Sequence, residues 1–172
     1  MKKILVVVDM QNDFIDGALG TAEAVAIVPY VKSLIEGFDG RVFFTRDTHF
    51  ENYMETEEGK NLPVPHCIKG TDGWQIRAEL DVLRRTDAID KLTFGSRELV
   101  EVIAREGEIE SITFVGLCTD ICVISNALAL KTEFTHATIV VDANCCAGTT
   151  PEKHNAALAV MESCQINVIN KK

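Results

Sequence analysis

Ile4-Leu5-Val6-Val7-Val8-Asp9, near the start of the chain, is five apolar residues in a row closed by a carboxylate. A strand with one wet face would alternate polar and apolar residues. An unbroken run suits a strand covered on both faces by helices, as in a parallel sheet. Working outward, short β-branched runs recur at Arg41–Thr45, Ala88–Lys91, Ser111–Val115, Thr138–Asp142 and Asn167–Ile169. Amphipathic segments of helical length separate them, at Pro29–Phe38, Arg97–Glu106, Asp120–Thr132 and Pro151–Ser163. The alternation predicts an α/β fold: three α/β/α layers around a doubly wound, mostly parallel sheet of six strands. Pro29 and Pro151 suit first helical positions, where a missing N–H costs nothing, and Thr150 is a natural cap. The irregular connections Gln11–Val28 and Asp47–Asp87 have lengths usually reserved for function.

With 172 residues, 47% apolar and 25% charged, the chain has globular composition and the size of one domain. A formal net charge of −9 argues against nucleic acid or an anionic membrane as partner, since either wants a basic face. No apolar run approaches the ~20 residues of a membrane span. The Ile4–Val8 run is also shorter than the ~7–15 residues of an export signal, which predicts a cytoplasmic protein. In that reducing compartment the six cysteines are expected as free thiols. They contain no C-x-x-C pair, so a thiolate zinc site is not expected.

Open parallel sheets bind ligands outside the carboxyl ends of their strands. The residues at and just beyond each strand's end are therefore the candidates for a site. The first strand ends on Asp9, the second runs into Asp47-Thr48-His49, and the third ends on Lys91. The fourth passes through Gly116-Leu117-Cys118 into a helix carrying Cys122, with Thr119 or Asp120 as cap. In a first helical turn the free N–H groups and the dipole favour a thiolate and can hold an oxyanion. Asp9, partly desolvated, could accept the thiol proton and return it to a leaving amine. Lys91 would keep Asp9 and the sulfur ionised. In an extended segment residues i and i+2 face one side, so Asp47 and His49 can reach one cation. His66, in Pro63-Val64-Pro65-His66-Cys67, is the obvious third ligand. Two imidazoles and a carboxylate suit zinc, manganese or iron, with coordination positions left open.

Each residue also has a plain structural reading. A free cysteine is most often a small buried hydrophobe, a strand-end Asp often bonds loop backbone, and a lone lysine is usually a surface residue. His49 and His66 could have separate loop partners, and His136 and His154 read as structural or solvated.

In order along the chain, Asp9-Met10-Gln11-Asn12-Asp13-Phe14, Asp47-Thr48-His49, Pro65-His66-Cys67 with Gly70-Thr71, Lys91, and Gly116-Leu117-Cys118-Thr119-Asp120-Ile121-Cys122-Val123 resemble the isochorismatase-like cysteine hydrolases, and within them the nicotinamidases. The resemblance implies one hydrolase domain over residues 1–172, with Asp9, Lys91 and Cys122 as its triad. It implies an oxyanion hole from the backbone N–H groups of Cys118 and Cys122, with the Leu117–Cys118 peptide cis. It further implies a divalent metal, zinc first, on Asp47, His49 and His66, with Glu57 or Glu58 as a further ligand, Glu58 taken as the candidate. Phe14 would stack on the substrate ring and Leu19 line the same pocket. The implied reaction cleaves a linear amide C–N bond, nicotinamide plus water giving nicotinate and ammonia, and the implied assembly is a homodimer or homotetramer. Nicotinamidases often carry Ala where Cys118 stands and Trp where Thr48 stands; neither change removes a catalytic group.

Other readings compete. One keeps the fold but makes the enzyme metal-independent, acting on another small amide or an enol ether. Another is a non-enzymatic thiol redox or metal-binding protein using Cys118 and Cys122. An aspartyl phosphatase would need a second carboxylate where Gln11 stands. Dinucleotide binding finds no Gly-x-Gly-x-x-Gly after the first strand.

Overall fold

In the computed structural model, whose described residues are 1–171, the opening apolar run becomes β1 (Lys2–Val8). Next come α1 (Asn12–Ile15), α2 (Ala22–Gly37), β2 (Arg41–Asp47), α3 (Glu57–Asn61), α4 (Ala78–Asp81) and β3 (Ile89–Lys91). The second half contains α5 (Arg97–Ala104), β4 (Ile109–Leu117), α6 (Ile124–Glu133), β5 (Thr138–Ala147), α7 (Pro151–Ser163) and β6 (Asn167–Ile169). The six strands form one sheet in the order β3-β2-β1-β4-β5-β6, and every pairing is parallel.

Strand pleat explains why β1 must be apolar from Ile4 to Val8. Ile4, Val6 and Val8 join a core with Leu99 and Ile103 of α5, Val123, Ala127 and Leu130 at α6, and Leu158 and Met161 of α7. Leu5 and Val7 point to the opposite face, packing with Phe14 and Ile15 of α1 and Ile27, Val28 and Val31 of α2. All five side chains from Ile4 to Val8 are fully buried, as expected of a strand sandwiched between helical layers. Strand order reverses between β1 and β4, opening the crevice at their carboxyl ends where such sheets hold ligands. Gly116 lets the two strands approach there: its φ is +115°, and a Cβ on it would collide with the Val8 backbone.

Three expectations need correction; the first is the irregular Gln11–Val28 connection, which holds α1 and the first turns of α2. Pro29 does not open a helix but lies inside α2, which begins at Ala22 with Thr21 Oγ1 accepting from Ala24 N at 3.0 Å. The alanine-rich stretch before Pro29 has strong helix propensity, and buried Ala24, Ile27, Val28 and Val31 anchor the helix across the proline's missing hydrogen bond. The Asp47–Asp87 connection is likewise not irregular throughout, since it holds α3, α4 and a 3₁₀ turn at Tyr53–Glu55. Pro151 and Thr150 take the expected places, Thr150 Oγ1 accepting from Lys153 N at 3.2 Å.

Leu5→Ala should lower unfolding stability by about 3 kcal/mol, read as a reduced urea midpoint at unchanged m-value. A loss below about 1 kcal/mol would mean that the α1–α2 layer closes over the cavity.

Candidate active site and metal centre

Asp9 comes directly after β1 in a left-handed conformation, φ 46°, and is wholly buried. Thr45 Oγ1 of β2 donates to its Oδ1 at 2.7 Å, and Lys91 Nζ sits 2.6 Å from its Oδ2. The Lys91 ammonium, at the end of β3, also reaches Asp47 Oδ1 at 3.1 Å, the Thr93 carbonyl at 3.1 Å and Cys122 Sγ at 3.3 Å. The ends of β1, β3 and β4 thus deliver Asp9, Lys91 and Cys122 to one point, as the sequence predicted.

Cys122 is not in an ordinary first helical turn. It lies in one turn of π-helix, Thr119–Val123, which precedes α6. Neither Thr119 nor Asp120 caps it. Thr119 Oγ1 lies 2.7 Å from His154 Nδ1, while the Asp120 carboxylate accepts from Thr149 N and Thr149 Oγ1 at 2.8 and 2.7 Å. Those bonds tie the turn to the start of α7, which gives His154 a structural place. The Leu117–Cys118 peptide is cis. The Cys118 carbonyl accepts from Ile121 N and Val123 N, both at 3.1 Å, which closes the turn.

Burial and the Asp9 carboxylate push the Cys122 thiol well above its ordinary range, and Lys91 only partly offsets them. That direction is opposite to the thiolate favoured by helix-terminus reasoning alone. Burial likewise raises the Asp9 carboxyl against the opposing charge of Lys91, making it a better proton acceptor than an ordinary aspartate. Lys91 remains an ammonium: burial works against its charge, but the Asp9 and Asp47 carboxylates outweigh it.

Next to this cluster lies a second one. Asp47 Oδ2 is 3.0 Å from His49 Nε2 and 3.6 Å from His66 Nε2. Glu58 Oε1 is 3.5 and 3.7 Å from the same two nitrogens. One donor atom from each of the four residues falls within 4.8 Å of the others. Glu58 comes from α3, whose cap Thr56 accepts from Gly59 N at 3.0 Å, while neighbouring Glu57 turns outward to Lys60. His66 Nδ1 lies 2.8 Å from the Val64 carbonyl, an atom that can only accept. That bond places the proton on Nδ1 and leaves Nε2 free to ligate, as metal-bound histidines require. Two imidazoles and two carboxylates converging on one point fit a borderline divalent cation. Phe14 stands beside the cluster, its ring centroid 5.4 Å from that of His66, and Leu19 packs against the same core.

Residues that sequence reading left without a role hold this geometry. Gln11 is fully buried; its Oε1 accepts from Asp47 N at 2.7 Å, and its Nε2 donates to the Asp47 carbonyl at 2.8 Å and the Trp74 carbonyl at 2.9 Å. Asp13 Oδ2 accepts from Cys67 N at 2.8 Å, anchoring the loop that carries His66. Asn126 bridges the Phe94 and Cys122 carbonyls and the Ser96 N–H, linking the Cys122 turn to the segment after Lys91. Its i+4 spacing from Cys122 on a helical face was the one signal that could have found it.

Residues 3–172 match the family model described as Isochorismatase domain. An uncharacterized isochorismatase family protein of Bacillus subtilis is 31% identical over 144 residues, covering 74% of this chain and 78% of its own. The nicotinamidase/pyrazinamidase of Mycobacterium tuberculosis is 27% identical over 191 aligned positions, 97% of this chain and 98% of that one. Among solved structures, the pyrazinamidase of Pyrococcus horikoshii in complex with zinc superposes with a TM-score of 0.83 at 27% identity, over 99% of this chain and 100% of that chain.

In the cation-free protein, burial lowers the His49 imidazole, but hydrogen bonds and charge from Asp47 and Glu58 outweigh it and raise the group to about 9. A cation needs the neutral ring, so below pH 9 a proton competes with it. Loading chelator-stripped protein with zinc at pH 7 should release about one proton per metal, and apparent affinity should fall about tenfold per pH unit below 9. Proton release that does not diminish above that pH would show that His49 is not a ligand.

Proposed function

This chain belongs to the isochorismatase family, and from that premise we propose that it is a metal-assisted cysteine amidohydrolase converting nicotinamide and water to nicotinate and ammonia. The observation that carries the reading is Lys91 Nζ touching Asp9, Cys122 and Asp47 at once, because it sets a nucleophile and its base beside a four-residue donor cluster. The named activities of the Mycobacterium tuberculosis and Pyrococcus horikoshii relatives support the substrate class.

As the Cys122 sulfur attacks the carboxamide carbon, its proton passes to Asp9, and Lys91 holds both groups in place. The tetrahedral oxyanion is received by the backbone N–H groups of Cys118 and Cys122. Asp9 then gives the proton to the leaving nitrogen, ammonia departs, and a thioester remains on Cys122. Water, deprotonated by Asp9, attacks the thioester; the C–S bond breaks, nicotinate leaves, and the returning proton restores the thiol. Phe14 and Leu19 supply the apolar wall for the ring. A divalent metal, zinc by the donor set, would supply a Lewis-acid contact to the pyridine nitrogen and so orient the carboxamide. Asp47, His49, Glu58 and His66 would hold it. The assembly expected is a homodimer or homotetramer in the cytoplasm; no helix among the described residues is long and apolar enough to cross a membrane.

The deciding experiment is ammonia release from nicotinamide by zinc-loaded protein. Activity should disappear after chelation and return with metal. Cys122→Ala should lose at least about 10³-fold in kcat with its fold intact. Metal-loaded protein inert towards nicotinamide, yet active on another small amide, would overturn the substrate and keep the chemistry.

A further inference from the structure

Asp47 faces two ways. Its Oδ1 accepts from the Lys91 ammonium at 3.1 Å, on the side of Asp9 and Cys122. Its Oδ2 lies among the imidazoles of His49 and His66, at 3.0 and 3.6 Å. The residue is 2% exposed, so water cannot stand in for either partner. Gln11 keeps it from shifting, gripping its backbone N–H at 2.7 Å and its carbonyl at 2.8 Å. One negative charge therefore serves two cation positions through a rigid joint, in a dry setting where screening is weak.

We propose that Asp47 links metal occupancy thermodynamically to the charge of the Asp9–Lys91–Cys122 cluster, a cation on Oδ2 drawing the shared charge away and turning Lys91 towards Asp9 and the sulfur. The inference rests on the metal-site reading above and adds to it: the metal acts on the nucleophile's surroundings as well as on the substrate. Linkage is reciprocal, so changing charge beside Cys122 must change metal affinity. Losing the Lys91 ammonium leaves two carboxylates to attract the cation, and binding tightens. Losing the Asp9 carboxylate leaves Lys91 to Asp47 alone, and binding weakens. Neither residue belongs to the donor set, whereas general damage to the site would weaken both variants.

The test measures zinc dissociation constants of the wild type, Lys91→Met and Asp9→Asn by competition with a chromophoric chelator, at fixed pH and ionic strength. Circular dichroism confirms folding, and Lys91→Gln replaces Lys91→Met if the latter does not fold. Affinity should rise at least about tenfold in the lysine variant and fall at least about tenfold in the aspartate variant. A wild type that binds no stoichiometric zinc overturns the metal site itself, and the linkage with it. A wild type that binds, with both variants unchanged or both weakened, overturns the linkage alone.

Discussion

The ammonium of Lys91 has left water almost entirely, and removing an ion from water costs several kcal/mol unless its partners are in place. Its partners come from different elements: Asp9 after β1, Asp47 at the end of β2, Thr93 beyond β3 and Cys122 in the turn after β4. Each strand end must therefore stop at the right height for the charge to be satisfied. The same requirement that keeps this ion pair network intact also brings the Cys122 thiol and the Asp9 and Asp47 carboxylates to one point. Removing one partner would leave an uncompensated charge in the interior, which ties stability to the same groups that form the candidate site.

Topology makes this economical. With β1 and β4 adjacent at the reversal of strand order, the chain after β1 and the chain after β4 leave towards opposite helical layers and open the crevice between them. Gly116 sits at that junction, where only a residue without a Cβ allows the strands to meet. Cys122 comes next, in a single π turn, and Asn126 and the Asp120–Thr149 bonds fasten that turn to its neighbours. Precision at Cys122 is thus supplied by a strand end and packed helices rather than by a free loop.

The metal-type cluster is built differently. His49, Glu58 and His66 lie on the connection between β2 and β3, and short devices hold it: the parallel bridge between His49 and Ile68, the Asp13 bond to Cys67, and the Gln11 clamp on Asp47. Gln11 and Asp13 both stand a few residues beyond Asp9. A single stretch after β1 therefore places the Asp9 carboxylate, braces Asp47 and anchors the histidine loop. Placing these duties on adjacent residues keeps the two clusters in register.

The sequence by itself determined the layers and which side chains gather at the strand ends. An unbroken apolar β1 requires cover on both faces, and the residues at the ends of parallel strands must share one rim, so Asp9, Asp47, His49, Lys91 and Cys122 could be read from order alone. Glu58 stood beside Glu57 with nothing local to choose between them, and only the cap at Thr56 and the facing imidazoles decide which carboxylate turns inward. The start of α2 also escaped, because a proline reads as a boundary until packing of Ala24, Ile27 and Val31 carries the helix through it. The roles of Gln11 and Asn126, the division of Asp47 between two neighbours, and the upward shift of the Cys122 thiol were decided by tertiary structure. Each depends on distances between residues far apart in the chain and on how little water reaches them, and neither quantity exists until the strands are side by side.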